Sequence, residues 1–126
     1  MKKKKLSIAL IGMGYWGKNI ARNLFKMGVL KVIFDKNIKV LNKYKKIYPD
    51  VIFVDNLDDF LEINIDAVFI ATPAETHGKL VKIFLKNNKH VFVEKPLCLN
   101  VKESENLKSI ANKNNLKLMV GHLLLY

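Results

Sequence analysis

Short continuous apolar runs alternate along this chain with stretches in which apolar residues return every three or four positions. The runs LSIALI (6–11), VLKVIFD (29–35), VIFV (51–54), DAVFIAT (66–72), HVFV (90–93) and LKLMVG (116–121) read as strands, and DAVFIAT has the continuous apolar character of a buried parallel strand. Between the first two, residues 18–27 place Ile20, Ala21, Leu24 and Phe25 on one helical face, and Gly28 stands where a helix-ending glycine belongs. Residues 38–46 predict a short amphipathic helix with Ile38, Leu41 and Lys45 on adjoining turns, stopped before Pro49, and residues 57–62 a shorter one. Thr72-Pro73-Ala74-Glu75 has the form of a helix start, with Thr72 as cap, Pro73 in the first turn and Glu75 closing a capping box. Leu80, Val81, Phe84 and Leu85 give that helix its buried face, and Asn100 caps a last helix whose apolar positions are Val101, Leu107 and Ile110. Repeated βα units with short connections predict an α/β fold: one doubly wound, mostly parallel sheet with helices on both faces, spanning residues 1–126 without an internal boundary.

Two connections carry chemistry. The first strand runs into GMGYWG, so Gly12, Gly14 and Gly17 form G-x-G-x-x-G between a strand and a helix, with Asp35 ending the next strand 18 residues past Gly17. Gly12 permits a tight turn, Gly14 lets backbone approach a pyrophosphate, and Gly17 allows the helix to pack on the strand, while the helix N-terminus offers N–H donors to phosphate. This is the dinucleotide-binding pattern, and it makes the expected fold a six-stranded Rossmann sheet. Asp35 is placed to accept hydrogen bonds from ribose hydroxyls and to repel a 2′-phosphate, which favours NAD over NADP, whereas neighbouring Lys36 is able to hold such a phosphate. Tyr15 and Trp16 either line the cofactor or, for Trp16, pack beneath the first helix. The second connection is VFVEKPLCLN (91–100), where an apolar strand ends in Glu94, Lys95 and Pro96. Three apolar residues ahead of Lys95 imply burial, and a buried lysine needs a partner or a task; the alternative is a lysine that snorkels from a strand end.

Composition narrows the picture further. Half of the 126 residues are hydrophobic, and no apolar run approaches the roughly 18–20 residues that span a bilayer. The start, Met1 followed by four lysines, lacks the features of a signal peptide, and a single cysteine, Cys98, suits a reducing, cytoplasmic setting. The net charge of +11 suggests nucleic acid, but 21 of the 22 basic residues are lysine and they are spread along the chain, whereas base and phosphate readers favour arginine. No nucleic-acid or membrane partner is expected, nor any metal ligand.

With the glycine loop, ATPAETH (71–77) and VEKP (93–96) in this order, the chain resembles the Gfo/Idh/MocA oxidoreductases over essentially its whole length, from IGMGYWGKN to MVGH. GYWGKNIARN, ATPAETHGKL, KHVFVEKPL and LMVGHLLLY look most like a branch that oxidises the 3-hydroxyl of a UDP-N-acetylglucosaminuronic acid or a close relative. The resemblance implies that Lys95 stands near the nicotinamide and the reacting sugar carbon. There it would hydrogen-bond the hydroxyl being oxidised or help move its proton while hydride passes to the cofactor. Glu94 is then its partner or orienter, and Pro96 fixes the turn, with a cis bond as one way of doing so. The resemblance also sets Thr72, Pro73 and His77 beside the nicotinamide half of the cofactor, His77 being alternatively a hydrogen-bonded first-turn residue. His122 matches the family without an assigned role, and Cys98, His90 and Met119 are structural. Family members carry a second α/β domain that binds the sugar, supplies further acid/base residues and forms the oligomer interface. The expectation is therefore an incomplete enzyme: a truncated product, a piece, or half of a split dehydrogenase, with self-association or a partner carrying the missing domain.

Overall fold

The computed structural model describes residues 5–121. Six strands and five helices alternate: β1 (Ile8–Ile11), α1 (Tyr15–Lys26), β2 (Leu30–Phe34), α2 (Ile38–Lys45), β3 (Ile52–Val54), α3 (Leu57–Leu61), β4 (Ala67–Ile70), α4 (His77–Lys86), β5 (His90–Glu94), α5 (Val101–Lys113) and β6 (Leu118–Gly121), with a 3-10 turn at Ala74–Thr76. The strands form one sheet in the order β3-β2-β1-β4-β5-β6, and every pairing is parallel. The register sets Ile11 beside Phe34 and Ile70, and Ile70 beside Val93, so the loops after β2, β1, β4 and β5 emerge side by side at one edge.

Strand alternation divides the core between the two faces. Ile8, Leu10 and Ile33 pack with Ile20, Ala21 and Leu24 of α1 and Leu41 of α2 on one side. Ala9, Ile11, Val32, Val68, Ile70, Val91 and Val93 pack with Phe60, Phe84, Leu85 and Leu107 on the other. β1, at the middle of the sheet, is buried on both faces and is apolar without a break, whereas β5 alternates buried Val91 and Val93 with half-buried His90, Phe92 and Glu94.

Three helices end in the same way. After α1, Gly28 takes φ +74°, its N–H bonds to Phe25 O at 2.9 Å, and the Val29 N–H bonds to Leu24 O at 3.1 Å. Asn88 and Asn115 take φ of 61° and 57° after α4 and α5 and make the matching pairs of bonds, returning the chain directly to the next strand. Asn37, Asn56 and Asn100 cap α2, α3 and α5 through their side-chain oxygens.

Some sequence expectations are corrected. Phe25 is 40 % exposed; it closes the outer margin of its helix face against Tyr48, with ring centroids 4.8 Å apart. Ile38 and Val101 are also exposed, because each is the first residue of its helix and lies ahead of the turn that meets the sheet. The first helix begins at Tyr15, so Gly17 lies inside its first turn. Among the described residues no helix is long and apolar enough to cross a membrane.

Candidate functional site

The strand order reverses between β1 and β4, the position at which open α/β sheets leave a crevice beyond the carboxyl ends of their strands. One wall is the loop from Gly12 to Gly17. Gly12 has φ +97°, and its N–H donates to Phe34 O at 2.8 Å. A Cβ on Gly12 would stand 2.6 Å from the Ala71 carbonyl oxygen, and one on Gly17 would run into the carbonyl of Gly12. Packing thus requires glycine at both positions. Gly14 differs: a Cβ there would meet nothing within 4 Å, and Gly14 precedes α1 with no side chain capping the helix. The first-turn N–H groups therefore lack a capping acceptor, and the backbone before them is open to approach from outside. An anion fits that arrangement by charge and by hydrogen bonding.

The Asp35 carboxylate, half-buried at the end of β2, is tied to this loop. Its Oδ2 accepts the Met13 N–H and its Oδ1 the Asn37 N–H, each at 2.8 Å. Both oxygens keep a further lone pair for a ligand hydroxyl. Lys36 is exposed beside it. Tyr15 is 68 % exposed, its ring edge-on to Trp16 at 4.9 Å and beneath the Lys18 ammonium at 5.2 Å. Trp16 is half-buried, so it is not a core residue beneath the helix.

The opposite wall follows β4. Ala71 donates its N–H to Ile11 O at 2.8 Å, which brings this turn against the glycine loop. The expected capping box does not form. Pro73 has an extended ψ of 147°, so a 3-10 turn intervenes and α4 starts only at His77, too late for Thr72 to cap it. Instead the Thr76 hydroxyl donates to Pro73 O at 2.6 Å, and the Thr72 and Thr76 hydroxyl oxygens lie 2.6 Å apart. With the Thr76 proton committed to Pro73, Thr72 is the donor to Thr76, and its oxygen still has acceptor capacity. His77 is 1 % exposed; its Nε2 lies 2.8 Å from Thr72 O and its Nδ1 2.7 Å from Pro96 O.

That second contact reaches the turn after β5. Lys95 donates its N–H to Gly121 O at 3.1 Å, the Lys95–Pro96 bond is cis, and Leu97 is buried beyond it. The Lys95 side chain is exposed, which corrects the burial inferred from the preceding apolar residues: Val91 and Val93 are buried, but the strand ends at Glu94. Glu94 is half-buried opposite Gly121 on β6. His90 accepts the Lys117 N–H at 3.0 Å and Cys98 donates to Asn100 O at 3.1 Å, so both serve the local fold. His122 lies outside the described residues. Among the described residues no group of three or more His, Cys, Asp or Glu is arranged to hold a metal ion. Sequence reasoning missed the Met13 backbone N–H and Thr76; only the four-residue spacing from Thr72 to Thr76, one helical turn, signals the latter.

These walls and this strand order define the class, a Rossmann-type nucleotide-binding fold. The sequence model of the oxidoreductase family with an NAD-binding Rossmann fold matches residues 6–122, and the chain belongs to that Gfo/Idh/MocA family. It is 28 % identical over 119 residues to the UDP-N-acetylglucosamine 3-dehydrogenase of Acidithiobacillus ferrooxidans, covering 90 % of this chain and 36 % of that one. It is 31 % identical over 119 residues to the myo-inositol 2-dehydrogenase of Thermotoga maritima, covering 92 % of this chain and 36 % of the relative. The crystal structure of apo scyllo-inositol dehydrogenase from Lactobacillus casei superposes with a TM-score of 0.86 at 29 % identity, over 96 % of this chain and 37 % of that one. The chain thus spans little more than a third of the length of these relatives.

Proposed function

We propose that residues 1–126 are one dinucleotide-binding domain, the cofactor portion of an NAD-dependent dehydrogenase that moves hydride between a sugar or nucleotide-sugar carbinol and nicotinamide. The observation that carries this reading is a continuous chain of contacts across the ends of four strands: Asp35 to Met13, Gly12 against Ala71, and Thr72 through His77 to Pro96, next to Lys95. NAD, when bound, supplies the hydride acceptor. The Gly12–Gly17 loop and the N-terminus of α1 hold its pyrophosphate, with Tyr15 and Trp16 along the same edge. Asp35 receives the ribose hydroxyls and disfavours a 2′-phosphate, with exposed Lys36 the counterweight, so NAD binds more tightly than NADP. Thr72 and Pro73 line the nicotinamide end. Lys95, free to reach out from its turn, hydrogen-bonds the substrate hydroxyl and helps to move its proton, and Glu94 orients it.

The names of the relatives support a sugar or cyclitol substrate, and the first-named one a UDP-amino sugar. Substrate binding and the remaining acid/base groups then come from a further domain, on the same polypeptide or on a partner. Met119, 61 % exposed on β6, gives such a partner or a second copy an apolar surface to cover. The setting is cytoplasmic. Calorimetry with NAD and NADP tests the cofactor: NAD is expected to bind at least tenfold more tightly, and tighter NADP binding would sink the assignment. A second test adds a protein carrying such a domain and follows NADH absorbance with UDP-sugars. Lys95→Ala is expected to abolish turnover while leaving NADH binding intact. A cellular NADH-dependent effect that survives Lys95→Ala would point to a non-catalytic cofactor module instead.

A further inference from the structure

Both ring nitrogens of His77 face carbonyl oxygens, which only accept, and a neutral imidazole has one donor to offer. Bonding both carbonyls takes a proton on each nitrogen. The side chain is sealed from solvent at 1 % exposure, so water does not take the place of either partner. Its two partners belong to different connections: Thr72 follows β4, and Pro96 follows β5, 19 residues beyond His77. On the other side the Lys95 turn is held by its own N–H to Gly121 O, while Leu97 anchors the chain that follows.

We infer that His77 is a positioning residue, a doubly donating clamp that sets the Lys95 turn against the Thr72–Pro73 turn and thereby fixes the nicotinamide end of the site. The inference rests on the NAD reading above and assigns His77 no contact with the cofactor. The two arms are separable. Asparagine carries its amide nitrogen where Nδ1 stands, so His77→Asn keeps the bond to Pro96 O; glutamine carries it where Nε2 stands, so His77→Gln keeps the bond to Thr72 O.

The experiment compares NADH with ADP-ribose, which lacks nicotinamide, on the chain and both variants by calorimetry, with circular dichroism as the check of folding. The unmodified chain is expected to bind NADH more tightly than ADP-ribose. His77→Gln, which releases the Lys95 turn, is expected to lose about tenfold in NADH affinity, the worth of one hydrogen bond, with ADP-ribose unchanged. His77→Asn is expected to keep most of the NADH preference. Equal losses for both ligands, or an undiminished NADH preference in His77→Gln, would overturn the positioning role. Binding of neither ligand by the unmodified chain would overturn the NAD reading itself, and the positioning role with it. Should His77→Gln fail to fold, nitrogen-15 NMR of the unmodified chain decides: N–H signals from both His77 ring nitrogens are expected, and a single protonated nitrogen overturns the clamp.

Discussion

The loop after β1 holds its shape with glycines and backbone bonds, whereas the turns after β4 and β5 hold theirs with one buried histidine and two threonine hydroxyls. Apart from the Asp35 carboxylate that holds the Met13 N–H, the first wall works by leaving side chains out. Gly12 and Gly17 are forced by contacts inside the protein, and Gly14 by nothing inside it. The second wall works by placing one side chain where two loops need it. A wall of absent side chains stays open to a ligand's phosphates; a wall stapled by a side chain fixes the angle at which a reactive residue is presented.

The sharpest way to break the comparison is within the glycine wall. Gly17→Ala forces a Cβ into the Gly12 carbonyl and is expected to cost about 3 kcal/mol or more by urea denaturation, with NADH binding lost. Gly14→Ala meets open space, so its stability should stay within about 0.5 kcal/mol of the parent while NADH affinity falls. Equal stability losses would show that the open space at Gly14 is not what distinguishes the two glycines.

The glycine wall was also the legible one. Its glycines fall within six consecutive residues that follow a strand and open a helix, a spacing readable without knowing that Gly12 also meets Ala71. The order of elements was legible for the same reason, since apolar period and the Asn and Gly punctuation act locally. His77 was legible as a hydrogen-bonded first-turn residue but its partners were not, because they lie 5 and 19 residues away and are carbonyls, which every residue has. The capping box at Thr72 and Glu75 failed because the pattern fixes residue types but not the ψ of Pro73. Lys95 was misjudged as buried because an apolar run does not show where its strand stops.

Asp35 joins the glycine wall to β2, and removing it should have the next largest effect. Asp35→Ala loses two charge-assisted bonds to backbone N–H groups at a half-buried site, an expected cost of about 1–2 kcal/mol by urea denaturation. The same change should narrow or reverse the preference for NAD over NADP. A preference that stays unchanged would mean that the carboxylate supports the loop without reading the ribose. On the opposite wall, Thr76→Val breaks the hydroxyl relay between Thr72 and Pro73. About 1 kcal/mol is expected by thermal or urea denaturation, and an unchanged stability would show that the 3-10 turn does not depend on the two hydroxyls.

The smallest expected effect lies behind the glycine wall. Tyr48 packs on Phe25 of α1 and stacks with Tyr44 of α2, and its phenol is pushed above the ordinary value of 10.0 chiefly by burial and further by Tyr44, with Arg22 opposing. Because the fold favours the protonated phenol, the Tyr48 contribution is fully present below pH 10, where the ring is neutral in both the folded and unfolded chain. As pH rises past that value the unfolded chain ionises first, and stability is lost until the folded-state pKa is passed. The informative quantity is the difference between the chain and Tyr48→Phe, in which every other group cancels. Urea midpoints should run parallel from about pH 8 to 9.5 and diverge above pH 10, with Tyr48→Phe the more resistant. Parallel curves throughout would mean that alkaline loosening does not begin at this ring. Divergence would place it under α1 and α2, on the side of the sheet that carries the glycine loop and away from the His77 staple.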